Sequence, residues 1–249
     1  MVVKQRCFEM EWAKIHLDRL GSEVAKVLAN PESLYRVTAD EDPKKGLFII
    51  RSEAIGSIHF LRVGLMAGDF VSNLRSSLDH IAWDLAKLGK KRPSSEICFP
   101  VCGRNGARTE AKIRAATAGI PPEAISLMKS LQPYHDGKAY KSNPLWRLNF
   151  LWNTNKHRVI GLHSSVSGVL YEVPSGIRVE ERKFYDSTIV TIPLSAKDKV
   201  RFHSRPNVEI FFGEEDRGVK LTLDDLRDIY EFVSRKVITP LIAFLPPNN

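Results

Sequence analysis

The hydrophobic periodicity of the chain changes near residue 159, and this change limits the fold. Before it, apolar residues recur mainly at helical spacing. After it, short β-like runs are separated by Gly, Pro, Ser and Asp. A last helical pattern follows over about 221–243. The sequence predicts an α+β fold whose helical core spans about 1–158 and 221–243, with four to five antiparallel strands over about 159–213, inserted before the C-terminal helix.

The chain shows no Pro/Ser-rich linker and no internal repeat. The last helix is expected to pack back on the helical core. We therefore expect one α+β domain over residues 1–249.

The longest helical pattern extends over residues 61–88 and carries one continuous apolar stripe. Gly89, with Pro93 just beyond it, indicates where this helix ends. The stripe consists of Ala67, Val71, Leu74, Leu78, Ile81, Ala82 and Leu85. Such a stripe is typical of a helix that faces a core.

Shorter patterns predict the remaining elements. Two β-like runs on either side of residues 42–46 predict a hairpin. Asn143 as N-cap and Pro144 in the first turn predict a helix over 144–157. Other helices are expected at about 6–29, where residues 30–31 give the end signal, at 108–117 and at 121–131.

Positive charge is concentrated in two segments of a chain whose net charge is +8. Residues 87–114 carry eight Lys or Arg against two acids, and residues 137–158 carry five and no acid. Clustered positive charge favours polyanions, nucleic acid above all. The alternative is a basic surface without a partner, since the sequence shows no aromatic RNA-binding signature.

Other sequence features point to the cytoplasm and away from membranes. The apolar runs are all shorter than the roughly 18 residues that a spanning helix requires. The first residues lack the apolar stretch of a secretory signal. Three cysteines are too few for a disulfide framework, as in proteins of a reducing compartment.

Arg75 and His80 lie five residues apart in the long helix. At about 100° per residue they point about 140° apart, with Arg75 on the flank of the apolar stripe. A flexible Arg, or an Arg from a second subunit, could still reach a ligand near His80. The same spacing recurs at Arg158 and His163, where we predict a strand. Asp79, four residues after Arg75, is expected to pair with it along the helix.

The helix face opposite the stripe is unusual for a solvated one. It carries Asn73, Ser76, His80, Trp83 and Lys87. The Trp should be partly covered, and a His beside it could serve as an acid or base. The alternative is a His that hydrogen-bonds to neighbouring backbone in a helix–helix seam.

A second constellation lies near the end of the helix over 144–157. Asn153, Lys156, His157 and Arg158 could bring polar and cationic groups to a phosphate. The alternative is that the cations stabilise the negative end of the helix dipole.

Motifs for cofactors and metals are missing from the sequence. It contains no Gly-rich phosphate loop, nucleophile elbow or His-Glu-x-x-His motif. Cys98 and Cys102 lack a second pair of ligands. We therefore expect no cofactor and no metal.

Four motifs occur in a specific order over residues 61–160: NLRSSLDHIAWDLA, FPV, LQPYH and PLWRLNFLWNTNKHR. Their joint order resembles that of a widespread set of bacterial proteins of uncharacterised activity that share the motifs LRSxLDHxAW, LQPY and KHR. In that set the residue before KHR is more often Asp than the Asn155 found here.

The first motif also resembles the HEPN superfamily (higher eukaryotes and prokaryotes nucleotide-binding). These are helical domains whose Arg-x4-6-His motif carries metal-independent RNA cleavage, usually in a dimer. The resemblance implies a HEPN-like antiparallel helical bundle with Arg75 and His80 as catalytic residues. The polar residue that follows the Arg is Ser76 here, where that superfamily more often has Asn, Asp or His.

These observations lead to one expected function and one alternative. The expected function is an RNA-cleaving or RNA-binding protein, with a metal-independent endoribonuclease of a toxin or defence system as its catalytic form. Its partners would be RNA, a second copy in a homodimer and a cognate antitoxin or other protein. The expected substrate-binding residues are Asn73, Ser76, Asn153, Lys156, His157 and Arg158. The alternative is a non-catalytic ligand- or protein-interaction module on the same helical core.

Overall fold

The structure of the protein is a computed structural model that describes most of the chain. The described residues are 2–29, 34–55, 58–89, 92–167, 170–172, 174–184, 187–203, 207–214 and 219–246. Their helices are α1 (Val2–Ala29), α2 (Ile58–Ala86), α3 (Ala107–Ala116), α4 (Pro122–Ser130), α5 (Pro144–His157), α6 (Leu223–Phe232) and α7 (Thr239–Ile242). Their strands are β1 (Tyr35–Asp42), β2 (Leu47–Ala54), β3 (Leu162–Ser167), β4 (Leu170–Glu172), β5 (Glu180–Lys183), β6 (Ser187–Pro193), β7 (Arg201–His203), β8 (Asn207–Glu214) and β9 (Val219–Leu221). The predicted α+β class is confirmed.

The long helix and its stripe are confirmed. Helix α2 contains the predicted pattern up to Ala86, and all seven stripe residues are buried. Asn143 caps α5 as expected, because its side-chain oxygen accepts a hydrogen bond from the backbone N–H of Leu145 at 2.9 Å. The end signal predicted for α1 at residues 30–31 lies outside the described residues, as do Lys90 and Lys91 of the basic segment.

The contacts within the chain divide it into two compact units. One comprises Met1–Leu20, Leu65–Ile160 and Asp224–Asn249, and the other comprises Gly21–Gly64 and Gly161–Leu223. We call them the helical unit and the sheet unit. The expected single domain stays a prediction, because compactness does not show whether the units fold independently.

The helical unit is built around α2. Its stripe is buried together with Met10, Ala13 and Leu17 of α1, and the Ser77 hydroxyl donates to the Met10 sulfur at 3.2 Å. Helix α5 contacts α2 closely at Gly68, where the Asn155 side chain occupies the space that a β-carbon would need. Burial of this stripe stabilises the unit because each large aliphatic side chain contributes about 1.5–3 kcal/mol.

The sheet unit contains antiparallel sheets. The largest has the strand order β1-β2-β6-β5, and a second has the order β3-β8-β9. Strand β6 alternates buried and half-buried residues, as expected when one face of a sheet meets a core. That core consists of Phe48, Ile50, Val190, Ile192 and Val200.

Two details of the predicted β segment are corrected. The described residues of the segment 159–213 hold six strands rather than four or five, because β7 spans only three residues and is too short to show a period. The hairpin of β1 and β2 also joins β6 of this segment rather than the helical core. Pairing across so many residues leaves no local signal in the sequence.

The last helical pattern is interrupted. Leu226, Ile229 and Val233 are buried as predicted, but Val233–Ile238 forms a π-helical stretch between α6 and α7. Pro240 lies just after this stretch and lacks the N–H that a regular helix would use. In the part of the chain that the structure describes, no helix combines the length and apolar character needed to cross a membrane.

Candidate nucleic-acid interface

An extended segment, residues 97–102, lies between α2 and α3 and is anchored to α2 by its backbone. The Asp79 carboxylate accepts a hydrogen bond from the Phe99 N–H at 2.9 Å and is paired with the Arg75 guanidinium at 2.6 Å. Arg75 in turn donates to the Phe99 carbonyl at 2.8 Å. The predicted pairing of Arg75 with Asp79 is confirmed, and the pair fixes one residue of the segment.

Gln132 anchors the other end of the segment. Its buried amide accepts from the Cys102 N–H and donates to the Pro100 and Met128 carbonyls, each at 2.9 Å. The Tyr134 N–H adds a bond to the Cys102 carbonyl at 3.2 Å. The FPV motif is therefore held in place by residues of the first and third motifs.

Beyond this segment the chain forms an open cleft of about 610 Å³. Residues 101–103 form part of its lining. The other residues that line it are Arg104, Arg108, Thr109, Lys112, Tyr140 and Trp146. We call this the basic–aromatic cleft. It lies entirely within the helical unit.

The cleft has a surplus of positive charge. Arg108 and Lys112 are one turn apart on α3 and so lie on the same helix face, and Arg104 precedes that helix. Within the described residues, Arg104, Arg108 and Lys112 form no ion pair. The acid in the same turn of α3, Glu110, is paired with Lys129 at 2.7 Å. The three cations are thus available to an anion.

The aromatic side of the cleft is held by packing. Trp146 stacks on Phe150 with ring centroids 5.3 Å apart and makes a T-shaped contact with Tyr140, with centroids 5.7 Å apart. Gly103 lets the Tyr140 ring lie against the backbone, since a β-carbon there would be 2.9 Å from the ring. Lys141 lies 6.0 Å from the centre of the Trp146 ring. The rings therefore keep their position without a ligand.

Burial raises the pKa of both thiols next to the cleft. Burial raises the pKa of Cys102, which lines the cleft, while the charge of Lys112 lowers it in part. Burial, and next the charge of Asp79, raise the pKa of Cys98. Neither thiol has the lowered pKa of a nucleophilic cysteine.

Arg75, expected to be catalytic, is buried and only 4% exposed. Its two terminal nitrogens contact Asp79 and Phe99, and its guanidinium lies 5.0 Å from the centre of the Trp152 ring. Its Nε has no hydrogen-bond partner in the described structure. In this arrangement the guanidinium has no exposed donor for a phosphate.

His80 lies in a different environment from Arg75. Its side chain is 47% exposed, and its Nδ1 lies 2.6 Å from Glu9 Oε2 on α1. Trp83, on the same helix face, is half-buried as expected. The structure therefore gives the two residues of the Arg-x4-His spacing no common contact, and it adds Glu9, which lies far away in the sequence.

The predicted binding residues on α2 and at the end of α5 are not part of the cleft lining. Asn73 donates to the Asp69 carbonyl of its own helix at 2.8 Å, and Ser76 is half-buried. Lys156 lies over the Trp152 ring, 3.2 Å from its centre. Asn153, His157 and Arg158 are exposed. Lys156 and His157 occupy the last turn of α5, where cations also suit the helix dipole.

Asn155 joins two helices. Its amide nitrogen donates to the Gly68 carbonyl at 3.3 Å and to the Ser72 hydroxyl at 3.1 Å, both on α2. The residue before KHR therefore packs α5 against α2.

The sequence indicated the basic segments but not the cleft. The cations and the aromatic residues of the cleft are about thirty to forty positions apart in the sequence, and only the tertiary structure brings them together. The GKAYKSNPLW stretch, residues 137–146, carried the signal in part, because Tyr140, Lys141 and Trp146 combine aromatic and cationic residues.

No group of three or more His, Cys, Asp or Glu side chains in the described residues could hold a metal ion. Comparisons with protein-family models, with curated proteins and with solved structures return no significant match for this chain. What the chain binds must therefore be inferred from its own residues.

Proposed function

We propose that the helical unit is a HEPN-like bundle that binds RNA in the basic–aromatic cleft. One observation carries this proposal: three cations without ion pairs in the described chain lie beside two aromatic rings in one open cleft. Cations supply most of the affinity of a protein for phosphates, and aromatic rings supply stacking for bases. A cleft that offers both suits RNA better than a purely anionic ligand.

The proposal is tested by removing one arginine from each of two sides of α3. Arg108→Ser removes a cation of the cleft, whereas Arg114→Ser removes a cation of the same helix that lines another pocket about 120° away. We expect Arg108→Ser to weaken binding of a short labelled RNA by about 5- to 10-fold and Arg114→Ser to leave it nearly unchanged. Fluorescence anisotropy at low salt measures both.

Two results would contradict RNA binding at the cleft. The first is wild-type protein that shows no RNA binding at low salt. The second is an equal loss of affinity in Arg108→Ser and Arg114→Ser, which would indicate attraction by net charge alone.

A second candidate function, metal-independent RNA cleavage at His80, is favoured by the contact of His80 with Glu9 at 2.6 Å. A carboxylate on Nδ1 orients the ring, and Nε2 has no partner among the described residues. An exposed, oriented imidazole suits a general acid or base at a 2′-hydroxyl. The phosphate would need a cation other than Arg75, whose terminal nitrogens are held by Asp79 and Phe99.

Cleavage is tested with RNA in excess chelator. We expect His80→Ala to lose cleavage and Glu9→Gln to reduce it, because the glutamine keeps a weaker contact to the ring. Gel analysis of end-labelled RNA measures both. Equal cleavage by wild type and His80→Ala would remove His80 from the mechanism.

A further inference from the structure

The basic–aromatic cleft has the size of a site for one nucleotide. Its volume of about 610 Å³ lies within the roughly 300–1,000 Å³ of small-ligand pockets. A base in a duplex is stacked on both faces and paired along one edge, so it cannot enter a pocket unless it first leaves the helix. A ligand that uses the aromatic side of this cleft must present an unpaired base.

The aromatic rings are fixed before any ligand binds. Trp146 is supported by Phe150, and Tyr140 is supported by the Gly103 backbone and by its T-shaped contact with Trp146. A fixed ring loses little side-chain entropy when a base stacks on it, so the contact keeps most of its favourable energy.

The cations complete the match to a nucleotide. Arg108 and Lys112 on one face of α3, with Arg104 before it, line the same cleft as the rings. Lys141 beside Trp146 adds a further cation near the aromatic side. A base on the rings therefore has cations within the same cleft for its own phosphate and for a neighbouring phosphate of the strand.

We infer that the basic–aromatic cleft takes one unpaired nucleotide of a single-stranded RNA segment, with the base on Tyr140 and Trp146 and the phosphates on Arg104, Arg108 and Lys112. This inference rests on the proposed RNA binding. It adds that the site selects unpaired over paired RNA and that the selection comes from the aromatic residues.

The experiment compares three ligands on the full chain by fluorescence anisotropy: a short single-stranded RNA, the same sequence in a duplex, and the strand with abasic positions. We expect the duplex and the abasic strand to bind more weakly than the intact strand. Trp146→Ala should weaken single-strand binding by about 5- to 150-fold, the range of one stacked base, and Trp146→Phe should restore most of it. Phe184→Ala, at an exposed ring of the sheet unit, is the matched control and should change nothing.

The outcomes separate the inference from the proposed function. Equal binding of strand, duplex and abasic strand, lowered by Arg108→Ser but not by Trp146→Ala, would overturn the inference and leave RNA binding in place. A wild-type protein that binds none of the RNA ligands would overturn both the inference and the proposed function. Uridine monophosphate that competes as tightly as the strand would identify a free nucleotide as the ligand and overturn the single-strand inference. If Trp146→Ala fails to fold, the comparison of the three ligands on the wild-type chain still tests the inference. Trp146→Phe then tests the ring, because it keeps an aromatic side chain at this position.

Discussion

Arg75 donates to the backbone carbonyl of Phe99 at 2.8 Å, across 24 positions of sequence, while its neighbour Asp79 accepts from the Phe99 N–H. The first of the four motifs thus fixes the second. His80, five residues after Arg75, is exposed and contacts another helix. The two residues that the spacing joins therefore have separate environments, and Arg75 contributes to structure.

Replacement of Arg75 by Ala should lower the free energy of unfolding by about 2–4 kcal/mol. The change leaves the Phe99 carbonyl without a donor and Asp79 without its buried cation, and it removes the contact of Arg75 with the Trp152 ring. Urea denaturation followed by circular dichroism measures the effect.

The control for this prediction is Arg114→Ala, an exposed arginine on α3. Its free energy of unfolding should stay within about 0.5 kcal/mol of the wild type. Equal stabilities of the two variants would show that Arg75 is not an anchor of the 97–102 segment.

Local signals in the sequence were sufficient for the helices, except for the π-helical stretch Val233–Ile238. The stripe of α2 follows from apolar spacing, and the start of α5 follows from Asn143 and Pro144, because neighbours within one turn decide both. The hairpin of β1 and β2 was also found, since its turn lies between adjacent runs.

Contacts between distant positions were beyond sequence reasoning. The partner of Arg75 is Phe99, the partner of His80 is Glu9, and the third strand beside the hairpin is β6. The cleft likewise brings residues of α3 close to Trp146, which is distant from them in the sequence. Each pairing depends on the folded chain, and no periodicity within one element encodes it.

Gly68→Ala should destabilise the protein by about 1–3 kcal/mol, although alanine favours a helix over glycine by about 1 kcal/mol. The β-carbon would be 2.9 Å from Asn155 Cγ and closer still to Oδ1, so the clash outweighs the gain in helix propensity. Thermal and urea denaturation measure the change.

Gly68→Ala should raise the stability of the protein, rather than lower it, when Asn155 is replaced by Ala. All three atoms nearest to the β-carbon belong to the Asn155 side chain beyond its own β-carbon, and Asn155→Ala removes them. In that background Gly68→Ala should stabilise by up to about 1 kcal/mol. A double-mutant cycle without coupling would contradict the close contact of α2 and α5.

Stability should fall as the pH rises above about 8.5, the usual pKa of a thiol. Burial raises the pKa of Cys98 and Cys102 in the folded state, so the folded chain keeps thiol protons that the unfolded chain loses. The contribution is complete below the unfolded pKa and is lost as the pH rises through the folded pKa. Urea denaturation between about pH 8 and 9.5 measures it, below the usual tyrosine pKa of about 10.

The matched comparison is the double variant Cys98→Ala/Cys102→Ala. It should be less stable at neutral pH, because two partly or fully buried side chains become smaller, but its stability should change less with pH over the same range. Cys7 is present in both proteins, so its titration cancels. An identical pH dependence in both would show that the two thiols do not carry the effect.

The salt dependence of RNA binding should reflect how many cations of the cleft contact phosphates. Each phosphate contact with a single strand contributes a slope of about −0.7 to the plot of log affinity against log salt concentration. Arg104, Arg108 and Lys112 together should therefore contribute about −2, and Arg108→Ser should make the slope less steep by about 0.7. Trp146→Phe should lower affinity slightly and leave the slope unchanged, because stacking releases no counterions. Binding titrations between about 50 and 200 mM salt measure these slopes. An unchanged slope in Arg108→Ser would place the phosphates outside the cleft, whatever the change in affinity.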